Sequence, residues 1–425
     1  YYPSLSMDNN NTPYIVYGED SPNIYSQITV KKFNGNSWID VGSPGFSLGQ
    51  AEYTCIEFDN NNVPYVAFQD WTCGYKVTVM KFDGTNWQYV GNCGLSSYYA
   101  NFVELAIDDN NIPYVAFLDM DYNNKISVMK FDGANWQYVG SPGFSNGYSS
   151  DISLKIDNNG KLCLSYSDNG QIKVQTNDGS GWFDTNPTPM FGLGIGTSSS
   201  IAIYNNELYI AYFGTSFASE QVFIKKFVPN AGWSYYLNGI DPAGAYSGYC
   251  DYNDPNDCGM QGPVCVSLEI NNQGTFYLSY TDADENNKLS VQRYYDGLPF
   301  SSDVDGTTAW EYVGVPEFAA VNQNEASLVL DNNGIPYVTF ISSINKANVM
   351  RFSSCDDTTS SLWASTSGTY YVTATDSLGC TVTDSVYVSL NTPVSGSSSV
   401  SACNTYTWEG QTVTSSGNLT HTYQN

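Results

Sequence analysis

Residues 55–70 read CIEFDNNNVPYVAFQD, and residues 104–119 read ELAIDDNNIPYVAFLD. The two stretches match at an offset of 49 residues. Each holds a short apolar-alternating run, a turn rich in Asp and Asn, and a second run, PYVAF. Asp and Asn tolerate the positive φ of a tight turn, so each stretch predicts a β-hairpin. Pro64 and Pro113 open the second run, where a missing N–H costs the ladder least. Downstream lie KVTVMKFDGTNWQYVG (76–91) and KISVMKFDGANWQYVG (125–140). In these a third run ends in Asp-Gly, again a tight turn, and a fourth short run, WQYV, follows.

The unit recurs along the chain. Residues 4–19, SLSMDNNNTPYIVYGE, form an earlier copy, and Trp38, Trp87 and Trp136 follow at a constant spacing of 49. Looser copies are SLKIDNNGKLCLSY (153–166), SIAIYNNELYIAY (200–212), SLEINNQGTFYLSY (267–280) and SLVLDNNGIPYVTF (327–340), with Trp182, Trp233 and Trp310 in register. Four antiparallel strands in roughly 50 residues, repeated about seven times, is the pattern of propeller blades. The expected fold class is therefore all-β: a β-propeller of about seven four-stranded blades over residues 1–360, followed by small Ig-like β-sandwich repeats. A solenoid of stacked hairpins is the competing architecture. The fifth and sixth copies carry insertions at 241–263 and 297–308, and the seventh reaches VMRF (349–352) with no clear fourth strand, which Trp363 is a candidate to supply. The chain opens at Tyr1 directly in repeat sequence, so a trimmed start is expected, with an eighth blade or a strand-swapped closure as alternatives.

Acidic residues (42) far outnumber basic ones (15), for a formal net charge of −27. Such a field repels nucleic acid and anionic membrane surfaces, and neither is expected as a partner. The apolar runs are far shorter than the roughly 18 residues of a membrane span, so direct membrane insertion is not expected. The ten cysteines form no C-x-x-C pair, which argues against a zinc ribbon or a redox motif. Cys250 and Cys258 flank a short acidic loop and predict a local disulfide, and Cys73 and Cys93 predict one closing the second repeat. Cys55, Cys163 and Cys265 fall inside strand patterns and are expected as buried thiols. These features favour an extracellular setting.

The only histidine is His421 and the only arginines are Arg293 and Arg351. A Ser–His–Asp or Cys–His arrangement in the repeats is thereby excluded, as is a site built on three arginines. No carboxylate pair stands out from the repeats, and the chain is expected to be non-catalytic.

One constellation does recur. The second run of several copies ends in acid: Asp70, Asp119 with Asp121, Asp168, and Asp282 with Asp284. In a propeller the second-to-third connections and the exits of the fourth strands share a face. These carboxylates would share a rim with Trp71, Phe46, Tyr98, Tyr99, Phe144 and Tyr148. Carboxylates beside aromatic faces suit sugar hydroxyls, a cation or a basic protein partner. The same Asp residues also suit a plain turn-capping role. In the insertion CDYNDPNDC (250–258), Asp251, Asn253, Asp254 and Asp257 form a candidate Ca²⁺ loop of hard oxygen ligands, or else a solvated disulfide loop.

Beyond residue 360 the period is lost. SGTYYVTATDSLGCTVTDSVYVSL, within residues 361–391, alternates as a β-hairpin, and ACNTYTWEGQTVTSSGNL falls within 392–425. These segments resemble the Ig-like or PKD-like repeats and the C-x-x-Y-T-W repeats of large secreted surface proteins of gliding, type IX-secreting bacteria. The D-N-N-x-P-Y-V copies are similar to repeats of the same proteins. The resemblance implies export, attachment at the cell surface and a second repeat that is truncated here. Bacteria of that kind attach O-glycans at Asp-Ser/Thr triplets, which makes Thr358, Ser377 and Ser385 candidate glycosylation sites. The function expected is a surface adhesin whose propeller binds a surface glycan or protein on a β-repeat stalk. The alternatives are a structural subunit assembling with copies of itself, and a polysaccharide-active enzyme.

Overall fold

The computed structural model describes residues 3–185 apart from 22–23. It describes 198–352 apart from 217–218, 230–231, 241–264, 283–287, 296–309, 314–317 and 343–345, and it describes four strands between 368 and 413. Two compact units result, Tyr1–Ser353 and Ser354–Asn425.

The first unit is a seven-bladed β-propeller with no α-helix among the described residues. Blade 2 shows the plan: Ala51–Phe58, Pro64–Asp70, Lys76–Phe82 and Trp87–Tyr89, in that order, all antiparallel. Blades 1 and 3–6 repeat it. Blade 7 has three described strands, Ala319–Leu330, Pro336–Ser342 and Ala347–Arg351. The first strand of every blade packs beside the first strands of its two neighbours, and that of blade 7 packs beside Ser4–Met7 of blade 1. The ring is therefore closed, with the first strands innermost.

The second strand of each blade is apolar on both faces because blades sandwich it. Val66, Ala67 and Phe68 are fully buried, as are Val115, Ala116 and Phe117. Burying one such large side chain contributes about 1.5–3 kcal/mol. The last interface repeats the others: Leu5 and Ile15 of blade 1 pack on Tyr337 and Val329 of blade 7.

Polar contacts also recur from blade to blade. In the Asp-Asn-Asn turns, one Asp oxygen accepts two backbone amides, as Asp59 Oδ1 does from Asn61 (2.9 Å) and Val63 (2.9 Å). The last turn residue sits at positive φ, for example Asn11 (64°), Asn62 (61°) and Asn111 (62°). Its side chain then reaches the preceding blade. Asn62 Oδ1 accepts from the Asn9 amide at 2.8 Å, and Asn111 Oδ1 from that of Asn60 at 2.8 Å. Asn11 Oδ1 of blade 1 accepts from Asn332 of blade 7 at 2.7 Å, so the same contact closes the ring. On the outer side Trp87, Trp136 and Trp182 each donate Nε1–H to a carbonyl of the preceding blade, those of Val41, Val90 and Val139, all at 2.8 Å.

Cys73 and Cys93 form the expected disulfide, with Cα atoms 6.0 Å apart. Cys55 and Cys163 are buried free thiols, and Cys265 is half-buried. In the second unit the described strands form two hairpins, Gly368–Thr375 with Thr381–Val388 and Tyr406–Trp408 with Gln411–Val413. Two two-stranded sheets are what is described of the expected sandwich.

Replacing Asn11 by Ala should cost about 1 kcal/mol, the same as replacing Asn62, read as equal shifts of the urea midpoint. A silent Asn11→Ala beside a destabilising Asn62→Ala would show that the ring is not held by this contact.

Candidate functional site

The inner strands enclose a channel lined in tiers. The uppermost tier is set by a bulge. The first strands of blades 2, 3 and 4 slip register against their partners between Glu52 and Cys55, between Asn101 and Glu104, and between Ser150 and Ser153. Tyr53, Phe102 and Asp151 occupy these bulges at φ of 52°, 49° and 54°. Positive φ is costly for side chains of this size, and three such residues at one structural position re-aim three side chains. The rings of Tyr53 and Phe102 lie 5.2 Å apart. One carboxylate oxygen of Asp151 accepts the Ser199 amide in a short hydrogen bond.

The middle tier is a serine position in most copies. Ser4, Ser153, Ser200 and Ser267 each use Oγ to accept a backbone amide from the next blade, at 3.3, 3.2, 3.0 and 3.3 Å. Blades 2 and 3 depart from this pattern with Cys55 and Glu104, whose Sγ and Oε2 atoms lie 4.0 Å apart. Two residues further, the lowest tier holds Ser6, Glu57, Lys155 and Glu269. Ser6 Oγ donates to Glu57 Oε2 at 3.3 Å, and Lys155 Nζ lies 3.5 Å from Glu269 Oε1.

The channel is confined yet wet: Lys155 and Glu269 keep 39% and 27% of their side-chain surface exposed. Confinement is the main reason Glu104 holds its proton up to about 8. Lys155 opposes that shift, and Glu57 and Asp151 reinforce it through like charge. Asp151 is raised to about 7 by burial, against the lowering effect of the Ser199 amide. Glu57 is raised as well, chiefly by burial. Lys155 holds its proton more tightly than an ordinary lysine because Glu269 first, then Glu57 and Glu104, outweigh its own burial.

The acidic rim read from the sequence sits elsewhere in chemical terms. Asp70, Asp119 and Asp168 are 1%, 0% and 5% exposed. Asp70 Oδ1 accepts the amides of Thr72 (2.9 Å) and Cys73 (3.2 Å). Asp119 accepts from the Asp121 amide (3.2 Å) and Ser127 Oγ (2.8 Å), and Asp168 accepts from Gly147 (2.8 Å). Their oxygens are turned inward to close turns. Asp121 is exposed and accepts from Ser97 Oγ at 2.9 Å. Trp71, Tyr98, Tyr99 and Tyr148 are exposed, at 36%, 48%, 37% and 57%. Phe46 and Phe144 instead stack on Trp87 and Trp182 at 4.6 and 4.7 Å. Asp282 ends a strand whose side chain there lies outside the described residues, as do Asp284, Cys250, Asp251, Asn253, Asp254, Asp257, Cys258, Thr358 and Ser377. Ser385 lies in a described strand, opposite Tyr371. No group of three or more His, Cys, Asp or Glu arranged to hold a metal ion occurs among the described residues.

No family model and no curated protein matches the chain. Solved structures similar to it include an ulvan lyase of a new polysaccharide lyase family, with 9% identity, a TM-score of 0.48, and coverage of 81% of this chain and 90% of that one. The Aleuria aurantia lectin follows with 11% identity, a TM-score of 0.43, and coverage of 76% and 97%. A thermostable family-43 glycoside hydrolase has 13% identity, a TM-score of 0.35, and coverage of 56% and 93%. At such identities the likeness concerns the fold alone.

The expectation of a non-catalytic adhesin is corrected at this point. Carbohydrate-cleaving enzymes stand beside a lectin among the similar propellers. The physical ground of the expectation fails too. Histidine and arginine are scarce, but the channel carboxyls titrate near neutrality without them.

A carboxyl that binds its proton more tightly folded than unfolded contributes stability below the ordinary carboxylate range and loses it as pH rises through the folded value. Stability should therefore fall up to about pH 8, the value for Glu104. Glu104→Gln should flatten that fall, measured as Tm across the range; an identical pH dependence in the variant would place Glu104 in ordinary solvent.

Proposed function

We propose that the chain is a polysaccharide-active enzyme that cleaves a glycosidic bond by acid–base hydrolysis at the upper end of the channel. One observation carries this reading: Asp151, raised to about 7, shares the upper tier of a wet channel with the paired rings of Tyr53 and Phe102, and Glu104, raised to about 8, lies on the tier below. Of the two, Asp151, held lower by the Ser199 amide, would be the base and Glu104 the acid. Glu104 would donate its proton to the leaving glycosidic oxygen. Asp151 would take a proton from the attacking water, held in place by the Ser199 amide. Tyr53 and Phe102 are half-buried against the cores between blades, and what remains exposed of their rings would meet a sugar ring. Cleavage breaks the C–O bond, adds the elements of water, and returns both carboxyls to their starting states after proton exchange with solvent.

Export supports this reading. The Cys73–Cys93 disulfide fits an oxidising compartment, where polysaccharides are met, and the surface-protein resemblance of the repeats fits the same setting.

Reducing-end release from a panel of neutral polysaccharides should be detectable, with a bell-shaped pH profile whose limbs fall near 7 and 8. Glu104→Gln and Asp151→Asn should each lower kcat by about 10²–10⁴-fold. Full activity in either variant, or no turnover on any polymer, removes the assignment.

A further inference from the structure

Blades 2 and 3 are near copies, so the places where blade 2 departs from its neighbours are informative. After the fourth strand, blades 1 and 3 run GSPGFSLGQ (42–50) and GSPGFSNGY (140–148), while blade 2 runs GNCGLSSYY (91–99). Gly49 and Gly147 are forced in the flanking copies. A Cβ there would lie 2.4 Å from Thr72 Oγ1 and 1.8 Å from Asn169 Nδ2. Blade 2 carries Tyr98 at that same place. Proline at positions 44 and 142 becomes Cys93, bonded to Cys73 of the facing loop. Opposite, Trp71 and Tyr75 stand where blade 3 has Met120 and Asn124.

These departures converge. Trp71 and Tyr75 rings lie 4.8 Å apart, Tyr75 and Tyr99 4.9 Å, and Tyr99 and Tyr98 4.3 Å with planes within 8°. The row is held rigid by the disulfide and by backbone bonds of Ala100 to Tyr75 (3.0 Å) and Met120 to Tyr99 (3.1 Å). It is also tied to the channel mouth. Trp71 Nε1–H donates to Gln69 Oε1 (3.2 Å), and Gln69 Nε2 donates to the Ala100 carbonyl (2.6 Å) and Asn101 Oδ1 (2.7 Å), next to Phe102. Hydroxyl and carboxylate partners stand at its edge in Ser97 and Asp121.

We infer that Trp71, Tyr75, Tyr98 and Tyr99 form a platform that binds a neutral polysaccharide chain and leads it toward the channel mouth. The inference rests on the polysaccharide-active reading above and names the substrate class. Rigid aromatic rings bind with little ordering cost, and sugar C–H faces lie flat on them. A chain carrying −27 disfavours an anionic polymer on an exposed face.

The test is affinity electrophoresis of the full chain through gels cast with arabinoxylan, barley β-glucan or galactomannan, with alginate as the anionic control. The native protein should be retarded by a neutral polymer and not by alginate. Trp71→Met and Tyr98→Gly install residues of the neighbouring blades, so folding should persist with an unchanged Tm. Each should weaken retardation at least tenfold, while Glu104→Gln, impaired in cleavage, should keep it. Retardation that survives both aromatic replacements, or that is absent in every neutral gel, overturns the platform. Platform-dependent retardation without any cleavage supports the platform and removes the hydrolytic reading instead.

Discussion

The turns of blades 2, 3 and 5 lean through an Asn side chain on the turn of the blade before them, and the same contact joins blade 7 to blade 1 across nearly the whole length of the propeller. That repeated amide-to-Asn hydrogen bond is modest in energy, about 1 kcal/mol. Its consequence is geometric. With the first strand of every blade packed beside those of its neighbours, these strands face one another across a common axis. Pleating then presents every second residue of each to the channel. A serine on the middle tier serves the ring, because its hydroxyl accepts an amide of the next inner strand. Chemistry enters where that serine is given up, at Cys55 and Glu104.

The blade plan was legible because its carriers are local. Asp in the turn, proline at the start of strand two, Asp-Gly after strand three and tryptophan on strand four each act within a few residues. Their recurrence, at a period of 49 in the first three copies and more loosely after that, counts the blades. The Cys73–Cys93 bridge was legible for the same reason.

The channel was not legible. Glu57, Glu104, Asp151 and Lys155 come from three blades and three tiers, so no motif unites them. The bulges at Tyr53, Phe102 and Asp151 precede the alternating runs and hold large side chains at positive φ, a backbone state that nothing in those runs marks. Reading the rim from Asp70, Asp119 and Asp168 had the opposite difficulty: the positions are recurrent, but their oxygens are spent on backbone amides. Phe46 and Phe144 likewise lie under the tryptophan of the next blade, a partner some forty residues away in sequence.

Lys155 limits how far the carboxyls of so acidic a channel are raised. The ammonium sits against Glu269 and opposes the shifts of Glu57 and Glu104. Asp151 draws its stabilisation from the Ser199 amide instead. A fixed cation acts on one carboxyl and a backbone dipole on the other, so the two are tuned by separate means. Glu104 and Asp151 lie on the inner strands of adjacent blades, so the surroundings of each are set by how blades 3, 4 and 5 pack round the axis.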